Sequence, residues 1–187
     1  MARSFLLIAG LIIFAYGSYM PIKAQLSQLL IRHAWHESTY SGEYVKPWSW
    51  ADTYPVMRLQ APSQEEDLIV LAGDTGNVLA FGPGLSRLTP HTNHSSTWLI
   101  SAHRDTHFEF LQHLKVGDFL MTTNLDMTIQ KFQVNDINII DVTKQDIILD
   151  DHHATLKLIT CYPFDALVAG GPLRYVVTAE KYQTFLY

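Results

Sequence analysis

Thr155-Leu156-Lys157-Leu158-Ile159-Thr160-Cys161-Tyr162-Pro163-Phe164 contains the chain's only cysteine, and an alternating run ends on it. Leu156, Leu158 and Thr160 fall on one face, Lys157, Ile159 and Cys161 on the other, which is the two-residue period of a strand. Pro163 cannot continue a sheet ladder, so the strand stops close to the thiol. A side chain at a strand end is held by rigid backbone and stays open to substrate, which suits a nucleophile. A lone cysteine is equally at home as a small buried hydrophobe, so the rest of the chain has to decide.

Outward from this run the pattern is mainly β. Candidate strands span 55–60, 68–72, 78–81, 97–102, 118–123, 127–141, 156–161 and 174–180. Turn signals separate them, among them Gly73-Asp74-Thr75-Gly76-Asn77, Gly82-Pro83-Gly84 and Gly170-Gly171-Pro172. Many short strands at this spacing make a closed barrel or a sandwich. One short helix is expected over 107–114, where Phe108, Leu111 and Leu114 share a face.

The amino-terminal part differs. Phe5 to Met20 carries no charge; with its uncharged neighbours it reaches the lower limit for a spanning helix, about 17 residues. A cleaved signal peptide is the rival reading, but Tyr16-Gly17-Ser18-Tyr19-Met20 fits a cleavage site poorly. We therefore expect a transmembrane signal anchor over 1–22. Leu26, Leu29, Leu30 and His33 or Ala34 then recur at helical spacing, which gives a juxtamembrane helical stalk over 23–47. The β-rich domain occupies 48–187, beginning at the Trp48-Ser49-Trp50 end of the stalk.

Composition excludes several classes. Charged residues make up 17% of the 187-residue chain and the net charge is −5, which argues against a nucleic-acid partner. A single cysteine allows neither an internal disulfide nor a multi-cysteine zinc site.

Three positions at strand ends then draw together. His103 follows the 97–102 strand, Cys161 closes its own, and Arg174 opens the last. On that last strand Arg174, Val176, Thr178 and Glu180 share the more polar, outward face, so thiol, imidazole and guanidinium can line one outer groove. The chemistry fits acyl transfer. A thiolate attacks an amide, a histidine protonates the leaving amine, and a cation stabilises the oxyanion.

This constellation resembles the sortases, the cysteine transpeptidases of bacterial surfaces. Leu158-Ile159-Thr160-Cys161 matches the Leu-x-Thr-Cys part of the family's strand-end motif, with Lys157 where Thr is usual. Ala102-His103-Arg104 stands for the family's Gly-His-Arg, and Arg174 follows the cysteine on the next strand, as in the family. Cys161-Tyr162-Pro163-Phe164 and the Pro47–Thr53 stretch look like the sortases of Gram-negative bacteria. The resemblance runs from about Trp50 to Tyr187. It implies an eight-stranded barrel with His103, Cys161 and Arg174 as catalytic residues, and no cofactor. It also implies cleavage of a Leu-Pro-x-Thr-type signal at the carboxyl end of a secreted protein, after Thr. The thioester on Cys161 then passes to an amine acceptor. Such an enzyme works outside the cytosol, on a single-pass anchor in the bacterial inner membrane. Some sortases bind calcium through acids such as Glu65, Glu66 and Asp67, but here these read as a solvated loop.

The alternative is a His-rich metal-binding envelope protein. His91, His94, His103, His107, His113, His152 and His153 supply imidazoles, and His103 and His107 stand four apart. Arg104 occupies the place where a zinc-helix motif needs Glu.

Overall fold

Eight strands close into a barrel in the order β1-β2-β3-β4-β7-β8-β6-β5. The strands are β1 (Pro55–Ala61), β2 (Glu66–Ala72), β3 (Gly84–Leu85), β4 (Trp98–Ser101), β5 (Phe119–Asn124), β6 (Ile129–Asp141), β7 (Thr155–Cys161) and β8 (Leu173–Lys181). This computed structural model describes residues 2–86, 97–148, 154–166, 168 and 170–182. The β2–β3 and β4–β7 pairs are parallel and the other paired strands antiparallel. The inward faces meet in one core that includes Leu59, Val70, Ile100, Leu120, Phe132, Leu158 and Val177. Phe108, Leu111 and Leu114 join it from the segment after β4, as their spacing predicts, although the regular part there is a 3-10 turn over Glu109–His113.

The expected strand at 78–81 is not one. Residues Gly76–Leu79 form a helical turn, α2, in which Val78 and Leu79 N–H both donate to the Thr75 carbonyl, at 2.9 and 3.0 Å. The eighth strand is the two-residue β3 beyond it. A four-residue apolar run has no period long enough to separate helix from strand. Gly84 is required in β3: a Cβ there would stand 2.2 Å from the Gly73 carbonyl oxygen.

Helix α1 spans Ala2–Ser41, with Pro21 inside it. It ends where Gly42 takes φ +73° and donates its N–H to the Ser38 carbonyl at 3.0 Å. The helical period expected over the stalk is present, but the buried face is Ser27, Ile31, Ala34, Trp35 and Ser38, while Leu26 and Leu29 stand exposed. Periodicity gives the spacing of a stripe, and the surface that meets the helix chooses the stripe. That surface is the outer face of β2: Ile31 and Trp35 pack on Ile69, Leu71 and Val78. The Leu68-Ile69-Val70-Leu71 run is continuous because this strand is covered on both sides. Gln28 Nε2 adds a 2.5 Å hydrogen bond to the Phe81 carbonyl. Nearer the amino terminus Leu7, Ile8, Leu11, Ile13 and Phe14 are bare. Among the described residues no helix is long and apolar enough to cross a membrane.

Of the acid cluster, Glu65 closes the turn before β2, and Glu66 and Asp67 belong to the strand rather than to a loop. Asp67 accepts from Arg58 Nε at 2.7 Å and Nη2 at 2.6 Å across the β1–β2 ladder. The guanidinium holds the Asp67 carboxyl below its ordinary value, chiefly through these hydrogen bonds.

Candidate active site

The parallel pairing of β4 with β7 sets the site. Trp98 faces Leu156 and Ser101 faces Ile159, a constant offset of 58 residues (156 − 98 = 159 − 101). The same offset continues past the end of β4, where Thr160 Oγ1 donates to the Ala102 carbonyl at 2.7 Å and Ala102 N–H donates to the Ile159 carbonyl at 3.2 Å. Carried one residue further, it sets His103 level with Cys161. On the other side of β7, the antiparallel ladder pairs Cys161 directly with Arg174. Two strands thus pair the thiol and guanidinium positions, and the imidazole position lies on the segment that leaves β4 at the same end of the sheet.

Facing follows from alternation. Leu156 and Leu158 point into the barrel core, while Ile159, two residues before Cys161, belongs to an outer apolar patch with Leu99 and Val176. Ile140 and Ile147 pack beside that patch. Lys157 Nζ, on the same outer face, donates to Thr178 Oγ1 at 3.2 Å. The outward placement expected for Arg174 and Cys161 matches this alternation. Cys161 is partly exposed, Arg174 partly buried and His103 exposed.

Arg174 Nη1 donates to the carbonyls of Gly171 at 2.6 Å and Leu173 at 2.9 Å, which folds the guanidinium back along its own strand. Such a fork presents several donors in one plane, and Nη1 accounts for the hydrogen bonds described. Beyond Cys161, Tyr162, Phe164 and Tyr175 pack ring against ring, with Tyr162 and Tyr175 stacked at 6.2 Å and Phe164 edge-on to Tyr175 at 5.1 Å. A cleft of about 520 Å³ lies alongside, between Arg104, Asp105 and Glu109 on one wall and Tyr162, Phe164 and Asp165 on the other.

His107 is the second imidazole near the site. Burial first, and the nearby His103 second, hold it below the ordinary imidazole value. It therefore stays neutral near pH 7 and places no charge beside His103. His91, His94, His152 and His153 of the metal-binding alternative lie outside the described residues. Among the described residues no group of three or more His, Cys, Asp or Glu side chains is placed to hold a metal ion.

The sortase-domain family model matches residues 59–182, which is most of the barrel. The chain belongs to the sortase family. Sortase D of Bacillus subtilis (strain 168) is 27% identical to it over 124 residues. That match covers 66% of this chain and 62% of the relative, so the chain spans less than two thirds of the curated relative's length. Solved sortases share the fold. The Clostridium perfringens Sortase D5 transpeptidase superposes with a TM-score of 0.65 at 18% identity, covering 85% of this chain and 99% of that one. Sortase A from Corynebacterium diphtheriae gives 0.62 at 21%, covering 73% and 64%. The pilus-related Sortase C of Group B Streptococcus gives 0.58 at 22%, covering 69% and 68%. The eight-stranded barrel implied by the sequence resemblance is the observed sortase fold.

Of the sequence candidates His103, Cys161 and Arg174, the last two are paired across β7 and β8, and His103 follows Ala102, whose carbonyl accepts from Thr160 beside Cys161. Reasoning from sequence noted Arg104 only as part of the Ala-His-Arg context. The side chain proves to be buried, donating from Nη2 to the Ala166 and Val168 carbonyls at 2.7 and 3.2 Å. Only its position next to His103 could have drawn attention to it.

Proposed function

We propose that this sortase is a cysteine transpeptidase acting on a Leu-Pro-x-Thr-type sorting signal, with Cys161, His103 and Arg174 as its catalytic residues. The observation that carries the reading is the register: β7 pairs Cys161 with Arg174, and on its other side Thr160 is tied to Ala102, the residue before His103.

The steps follow from what each group can do. The Cys161 thiolate attacks the carbonyl carbon of the signal's Thr, and the carbonyl oxygen becomes an oxyanion. Arg174 cannot release its proton at working pH, so it acts by charge and hydrogen bonding on that oxygen. As the tetrahedral intermediate collapses, the C–N bond breaks and His103, as imidazolium, protonates the departing amine. The acyl group is left as a thioester on Cys161. An acceptor amine then adds to the thioester, loses a proton to His103 and expels the thiolate.

The amino-terminal turns of α1 serve in this reading as a membrane anchor with the barrel outside the cytosol. The support is the bare apolar surface of Leu7, Ile8, Leu11, Ile13 and Phe14, which water disfavours.

The test is turnover of a peptide bearing the signal, with an amine acceptor present. Cys161→Ala removes one partly exposed sulfur, so it should keep the fold and lose all cleavage and transfer. Cys161→Ser should be nearly as inactive, because a hydroxyl is a weak nucleophile without strong base activation. Trapping by a thiol-directed electrophile should vanish in both, and turnover retained in Cys161→Ala would end the proposal.

A further inference from the structure

We propose that Arg104 is a positioning residue, a clamp that fixes the loop after Cys161 against the segment carrying His103. The inference rests on the proposed function for its kinetic consequence and on geometry for the clamp itself.

His103 is bracketed by two cross-ties. On its amino side, the Ala102 carbonyl accepts the 2.7 Å hydrogen bond from Thr160 Oγ1, next to Cys161. On its carboxyl side, Arg104 reaches 62 and 64 residues ahead to the Ala166 and Val168 carbonyls. The side chain of Arg104 is buried, so its charge has lost most of its water. A desolvated guanidinium needs acceptors, and a carboxylate is the usual choice. Arg104 makes no ion pair among the described residues; its acceptors are main-chain oxygens of the loop after Cys161. Within the described part of that loop, ties cluster at its far end, where the Pro172 carbonyl accepts from Val142 N–H at 3.1 Å, the Gly171 carbonyl accepts from Arg174 Nη1 at 2.6 Å and Tyr162 N–H donates to Leu173; the stretch around Ala166 has a long 3.4 Å backbone contact from Ala166 to Pro163. The Arg104 guanidinium is therefore the tie between the Ala166–Val168 part of the loop and the His103 segment, and it bears on the width of the intervening cleft. Reacting groups must be placed to within a fraction of an ångström, so such a tie acts on rate more than on substrate binding.

The test compares the full-length protein with Arg104→Lys, Arg104→Ala and His103→Ala. Amide hydrogen exchange over residues 162–172 should accelerate in Arg104→Ala, with the barrel strands unchanged. Arg104→Lys keeps the charge but not the fork, so it should fall between wild type and Ala. Alkylation of Cys161, the only cysteine, should shift its rate–pH profile in Arg104→Ala towards that of His103→Ala. With the sorting-signal peptide, kcat should fall ~10²-fold in Arg104→Ala while KM stays within a few-fold. Wild-type exchange in the loop, or exchange rising equally through the whole barrel, would overturn the clamp; the Lys variant decides if the Ala variant does not fold. Should wild-type protein fail to turn over the peptide, the proposed function falls, and exchange and alkylation still decide on Arg104.

Discussion

Arg174 pairs with Cys161 across the β7–β8 ladder, His103 follows the strand on the other side of β7, and the proposed chemistry asks different work of them. In the proposed mechanism Arg174 acts as a fixed cation and His103 as the group that exchanges a proton. Replacing Arg174 with Lys keeps the charge and loses the planar fork, so the rate should drop by ~10²-fold or more, in the range for one oxyanion donor. The pH profile should keep its shape, since nothing that titrates near neutrality has been removed. His103 must exchange a proton, so His103→Ala should lower the rate and flatten the pH dependence of acylation together. Rate–pH profiles of both variants on a signal peptide check this, and superimposable profiles would show the roles wrongly divided. The three positions were legible in the sequence because each lies at the end of a strand with a readable alternation. Arg104 was not. Its burial depends on carbonyls more than sixty residues away, which no local pattern encodes.

At the level of elements, the sequence was most readable where alternation ran long. Strand β7 and the outward face of β8 follow from their own residues. Residues 78–81 misled because an apolar tetrapeptide satisfies a strand and a helical turn alike, and the Thr75 carbonyl settled the matter by accepting two N–H groups. The face of α1 was hidden for a related reason, since its partner β2 lies some forty residues on in the chain. Ile31 is 1% exposed in that contact, so Ile31→Ala should destabilise the protein by ~2–5 kcal/mol, measured by denaturant unfolding. On the facing sheet, the Arg58–Asp67 pair makes a pH prediction. Asp67 titrates lower in the folded than in the unfolded protein. Its stabilising contribution is therefore fully present above the ordinary carboxylate value and is lost as pH falls through the lowered one. Wild type should exceed Asp67→Asn in Tm at pH 7 by a small margin, because the pair is partly exposed, and the gap should close below about pH 4.

For the whole molecule, the proposed function requires the barrel and its substrate to share a compartment. A reporter fused after Tyr187 should be active only outside the cytosol. Activity of that fusion inside would sink both the topology and the proposed substrate. The 58-residue offset between β4 and β7 bears on how such a protein matures. Parallel neighbours so far apart in the chain cannot pair as a hairpin does, and long loop closures slow folding. β7 also needs β8, which is made last, before Arg174 stands beside Cys161. Until that pairing forms, the chain carries the Cys161 thiol without the Arg174 guanidinium beside it. In the proposed reading the reactive centre is thus complete only once β8 has joined β7, and a chain without that pairing holds the nucleophile but not the cation that steadies its intermediate.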